Sequence, residues 1–146
     1  MEKRATILKL TVTAICTITF ICQCKISNGP WSMVNSPWSM VMHANVFHLA
    51  ANLYCLWLLR KVHWLPAFVI AALASLLAPT PTVGLSGFLF ASIGVSCGRN
   101  LLWKQCLITL AICMLWGLFP SVSLFVHVVS LLTGYAYGHT LRMAHR

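Results

Sequence analysis

Four polar residues in a greasy chain have the types and spacing to do chemistry. Ser86 sits in Gly84-Leu85-Ser86-Gly87, at the start of an apolar stretch. His127 lies within a second apolar stretch, and His48 and Asn52 lie four residues apart in a third. A serine hydroxyl needs an adjacent base to be a useful nucleophile near neutral pH, and His127 is such a base. Residues at i and i+4 share a helix face, so the His48 ring N–H and the Asn52 amide can donate to one point. The first N–H groups of a helix have no acceptor within it and carry partial positive charge. A helix that starts at Ser86 therefore adds its backbone N–H as a third donor. Donors preorganised in a low-dielectric site stabilise the oxyanion of acyl transfer. The single acid, Glu2, lies far away in the chain, so the most that can assemble is a Ser86–His127 dyad.

These residues must be held by helices. Punctuation divides the chain into apolar stretches at about 5–22, 43–59, 65–77, 84–98, 101–119 and 121–138, with an outer loop over 23–42. A spanning helix needs about 20 residues, so the third and fourth are short. Alternating their direction from a cytoplasmic N-terminus sets the depth of each polar group. His48 falls about 7–8 Å below His43, Asn52 one turn lower, and His127 about 9 Å in from Ser121. Ser86 enters from the same side, so the four converge in the outer half of a membrane. Small residues at spacings near four, Gly87, Ala91, Gly94 and Gly98 on one stretch and Ser130, Gly134 and Gly138 on another, let two backbones approach closely. That contact is expected to bring Ser86 to His127.

Composition supports the membrane. The chain has 146 residues, 60% hydrophobic and 8% charged, with a mean hydropathy of +0.86. A soluble domain carries roughly 25% charged residues. The net charge of +9 is too sparse for a groove that tracks phosphates, so no nucleic acid partner is expected. It fits membrane orientation instead. Lys3, Arg4, Lys9, Arg60, Lys61, Arg99, Lys104, Arg142 and Arg146 fall inside, and only Lys25 outside. The expected fold is an all-α membrane protein, a single six-transmembrane-helix bundle over 1–146 with both termini cytoplasmic. The expected location is a multi-pass position in a bacterial plasma membrane.

Other features are expected to be structural. Of the seven cysteines, Cys16, Cys55, Cys97, Cys106 and Cys113 lie in apolar runs and act as small hydrophobes. Cys22 and Cys24 have neither redox nor zinc spacing. The basic start of the first stretch imitates a signal peptide, but its length and the lack of a cleavage site favour a retained helix. A repeat, Pro30-Trp31-Ser32-Met33-Val34 and Pro37-Trp38-Ser39-Met40-Val41, reads as a tryptophan anchor at the outer interface. His63, His139 and His145 read as inner-boundary residues. No metal site and no cofactor are expected.

The residues resemble the rhomboid family of intramembrane serine proteases. The family's second-helix histidines and asparagine are matched by His43, His48 and Asn52. Its GxSG motif is matched by Gly84-Leu85-Ser86-Gly87, and its histidine before a small-residue ladder by His127, Ser130 and Gly134. The resemblance covers about 37–138. It implies Ser86 as nucleophile, His127 as base, and an oxyanion hole of His48, Asn52 and the Ser86 amide. Gly84, Gly87, Phe90 and His43 would support the site, with Gly94, Ser130, Gly134 and Gly138 packing the helices. The implied substrates are single-spanning membrane proteins in the lipid bilayer, entering past Leu115, Trp116 and Phe119. Phe90 stands where the family often has tyrosine, Ser130 where it has glycine, and the outer loop is short. Two other readings remain: an inactive relative that binds membrane clients, and a membrane electron carrier with haem between His48 and His127.

Overall fold

Helix α4 owes its central place to its small residues. In the computed structural model, which describes residues 2–25, 37–80, 82–116 and 123–144, it is Ser86–Asn100. The other helices are α1 (Glu2–Lys25), α2 (Val46–Leu58), α3 (Trp64–Leu76), α5 (Trp103–Trp116) and α6 (Leu124–Ala144), with a 3-10 helix at Pro37–Val41. The fold is all-α, with no strand among the described residues. α4 packs most extensively on α6, then on α3, with lighter contacts to α5 and α2.

The α4–α6 seam is glycine on both sides. A Cβ on Gly94 would strike the Leu131 carbonyl, and one on Gly134 the Ala91 carbonyl. Further along, a Cβ on Gly98 would strike the Tyr135 carbonyl, and one on Gly138 the Val95 carbonyl. Any side chain at these positions would push the two backbones apart. The main core cluster includes Leu56, Ala67, Ala71, Phe88, Ala91 and Val95 and lies between α4, α3 and α2.

Three of the helix ends that differ from the sequence expectation do so for a clear local reason. α2 starts at Val46 rather than His43. Asn45 is extended there, and its side chain accepts the His48 N–H at 2.9 Å, a strong N-cap. His43 is thus placed before the helix. α4 runs on to Asn100 because Gly98 serves the seam rather than stopping the helix. Leu101 then turns left-handed at φ 54°, and the Leu102 N–H closes the end on the Cys97 carbonyl at 2.8 Å, in the manner of a Schellman cap. α6 continues past Gly138 for the same reason, through Leu141, Arg142, Met143 and Ala144, all good helix formers.

Among the described residues α1 alone is long and apolar enough to cross a membrane. Its span is Lys3–Gln23, with a mean hydropathy of 1.9. Only 6% of that window is buried. α2 and α3 are apolar but 13 residues each.

Candidate active site

The α4–α6 seam brings two side chains together that are 41 residues apart in the chain. The Ser86 hydroxyl lies 2.6 Å from His127 Nε2. Ser86 is the first residue of α4, so its own N–H has no acceptor inside the helix. His127 is buried in the second turn of α6. Its ring is packed by Phe90, with centroids 4.6 Å apart and planes tilted by 42°. His127 Nδ1 is buried and has no hydrogen-bond partner among the described residues. Among the described residues the arrangement is therefore a dyad whose base is oriented by the serine contact and by packing, with no third polar group.

Gly84 links this pair to α2. Its φ is +112°, a conformation that side chains rarely adopt. A Cβ there would also lie 2.7 Å from His48 Nε2 and 3.3 Å from Asn52 Nδ2. The two α2 nitrogens thus converge on the backbone two residues before Ser86. Asn52 is buried and its Nδ2 has no partner among the described residues, which leaves the donor free for a ligand. His48, Gly84, Ser86 and His127 line one small cavity of ≈ 10 Å³, together with Ser75, Thr82 and Ser123 among others. That is room for about one water. Asn52 borders Gly84 but does not line this cavity. Gly87, one residue past Ser86, faces Val126 and Ser130 of α6 and Ala71 of α3.

His43 stands behind the site, fully buried. Its Nδ1 lies 3.2 Å from the Val41 carbonyl. A carbonyl can only accept, so Nδ1 carries the proton and Nε2 is an acceptor without a partner among the described residues. The His43 and His48 rings meet edge to face at 5.4 Å.

Several supporting residues carried no signal in the sequence. The Ser39 carbonyl accepts the Gly84 N–H at 2.9 Å, which ties the 3-10 helix to the strained loop before Ser86. The second copy of the Pro-Trp-Ser-Met-Val repeat is therefore part of the scaffold: its Ser39 and Met40 are buried. The first copy lies outside the described residues. Gln23 clasps His43 from the end of α1, donating to its carbonyl at 3.1 Å and accepting its N–H at 3.3 Å. No motif marks such contacts, because each joins segments far apart in the chain.

His63 is fastened to α4 through two serines. Its N–H donates to Ser92 Oγ at 3.0 Å and its Nε2 lies 3.1 Å from Ser96 Oγ. His139 stacks on Tyr135 at 6.4 Å, and His145 lies outside the described residues. Leu115 and Trp116 end α5, and Phe119 lies outside the described residues. Cys16, Cys97 and Cys106 are buried and free, while Cys22 and Cys55 are exposed and free. Among the described residues no group of three or more histidine, cysteine or acidic side chains is placed to hold a metal.

No protein-family model matches this chain, and no curated protein matches it in sequence. The geometry therefore carries the functional reading without help from relatives.

Proposed function

We propose that this chain is an intramembrane serine protease of the rhomboid type, with six helices in the membrane and both ends in the cytoplasm. The observation that carries it is the 2.6 Å contact of Ser86 Oγ and His127 Nε2 at a helix start, beside two converging α2 donors. His127 takes the hydroxyl proton as Ser86 attacks the scissile carbonyl, then returns it to the leaving amine. His48, Asn52 and the Ser86 amide hold the oxyanion.

Two further observations support the membrane setting. The exterior is apolar: Phe47 is 83% exposed, Leu65 74% and Leu77 71%. Such side chains on several helices suit a hydrocarbon surround better than water. The helices that fall short of a full span fit if tilted or if the bilayer thins locally. Among the described residues α2 and α5 make no contact, so a membrane-spanning substrate has a sideways path between them. Substrates are then membrane proteins with one spanning helix, cut near its outer end. The haem reading draws no support, since His48 and His127 share a cavity of only ≈ 10 Å³.

The test is labelling of detergent-purified protein with a fluorophosphonate probe, beside Ser86→Ala and His127→Ala. Labelling of the wild type alone is expected. No labelling of folded wild type would remove the protease reading and leave a client-binding protein.

A further inference from the structure

On the far side of α4 lies an apolar cleft of ≈ 590 Å³. Its walls include Val12 and Ile15 of α1, Met40 of the 3-10 helix, Trp64 and Phe68 of α3, and Leu85. α1 and α3 face each other across it without touching among the described residues. Almost no polar surface lines it, so water there would have no partners. Something apolar belongs between these helices.

Charge decides what it is. Val12 and Trp64 pack on the same core cluster as Leu59 and Val62. Those two residues bracket Arg60 and Lys61 in the chain, and both basic residues are exposed. The chain at Arg60 and Lys61 thus adjoins the α1 wall of the cleft, because it follows Leu59, whose carbonyl is bonded from α1. Lys9, one turn from Val12, is already engaged, donating to the Leu59 carbonyl at 2.6 Å. It fastens α1 to the end of α2.

We propose that this cleft is a binding site for one anionic phospholipid of the inner leaflet. An acyl chain lies between α1 and α3, and the headgroup phosphate meets Arg60 and Lys61. This rests on the membrane setting above, though not on the reactivity of Ser86. Basic residues near an anionic headgroup favour it enough that two of them give roughly a tenfold or greater preference. The occupant also touches Leu85, the residue before Ser86, so its loss is expected to loosen the start of α4.

Native mass spectrometry of the full chain released from nanodiscs of equal phosphatidylglycerol and phosphatidylcholine tests this. One retained phosphatidylglycerol per chain is expected, roughly tenfold over phosphatidylcholine. Arg60→Gln with Lys61→Gln should keep the lipid and lose the preference, and Ile15→Trp should lose the lipid. Equal retention of both lipids by the wild type overturns the proposal. Phosphatidylglycerol with a photoreactive acyl chain gives a readout that needs no variant. Crosslinks on α1 and α3 at the cleft are expected, and crosslinks confined to other helices overturn it. Retained lipid on a protein that fluorophosphonate does not label would sink the protease reading alone.

Discussion

Helix α4 carries two serine–histidine contacts, and only one has the makings of a catalytic site. At its start Ser86 meets His127 of α6 at 2.6 Å. Ten residues on, Ser96 meets His63, which precedes α3, at 3.1 Å. The outer pair has a free helix N-terminus, a small cavity and the α2 donors around it. The inner pair sits near a helix C-terminus, where the backbone offers carbonyls rather than donors. His63 is further tied through its own N–H to Ser92, so the inner contact fastens the α2–α3 connection to α4. The pairing of a serine with a histidine is thus not itself a site; the surrounding donors make it one.

The largest expected effect separates the two pairs. Ser86→Ala should abolish fluorophosphonate labelling and proteolysis, a loss on the order of 10⁴-fold or more, as when a paired nucleophile is removed. Ser96→Ala should change labelling by less than about threefold, since a fastening contact of this kind is worth about 1 kcal/mol. Equal losses in the two variants, both folded, would mean that the outer pair has no special reactivity.

The donors come next. His48→Ala and Asn52→Ala should each lower the cleavage rate by about 10²–10³-fold, the usual cost of one oxyanion donor. Labelling should slow as well, because the probe's phosphoryl oxygen uses the same donors, while the melting temperature should change far less. A variant that cleaves substrate normally would take that residue out of the oxyanion hole.

The two histidines should also answer to pH differently. His127 must be neutral to accept the serine proton, so the labelling rate should fall about tenfold per pH unit once its imidazole protonates. A rate that stays flat down to the pH at which the protein unfolds would falsify that role. For His63 the readout is stability. Burial first, then the nearby charges of Arg99 and Lys61, hold its pKa below the usual 6.5. Its neutral form is thus the one the fold accepts. Stability from this group is present above about pH 6.5 and is lost as pH falls through the lowered folded value. His63→Gln should flatten that acid limb of the melting curve while leaving the pH profile of labelling unchanged.

The seam that positions the outer pair gives a smaller, structural effect. Gly134→Ala places a methyl against the Ala91 carbonyl. It should cost about 1–3 kcal/mol, as overpacking does, and lower the melting temperature. Labelling should fall with it if the α4–α6 distance sets the dyad.

The outer pair was legible in the sequence because its signals are local. Glycines near every fourth residue announce a close helix contact, Gly-Leu-Ser-Gly announces a tight turn into a helix, and His48 with Asn52 share a face by spacing alone. The helix order follows from apolar runs. The inner pair was not legible. His63, Ser92 and Ser96 belong to no pattern, and a basic loop with a histidine looks the same whether it floats or packs. Ser39 and Gln23 act through a backbone carbonyl and an amide clasp, and neither leaves a mark in residue type. The helix ends shifted where a residue read as punctuation, such as Gly98, had a packing role instead.

Two buried serines give the smallest and most pointed contrast. Ser92 and Ser130 are both fully buried, one facing the inner pair and the other on the α4–α6 seam. Ser92 Oγ accepts the His63 N–H, whereas Ser130 Oγ has no partner among the described residues. Removing an acceptor strands a buried donor, which costs about 1–3 kcal/mol. Removing an unpartnered hydroxyl relieves a desolvation penalty instead. Ser92→Ala should therefore lower the melting temperature, and Ser130→Ala should leave it unchanged or raise it by the equivalent of about 1 kcal/mol. A loss at Ser130 equal to that at Ser92 would mean that its hydroxyl is bonded after all, through a water or a substrate backbone reaching the seam beside Gly87.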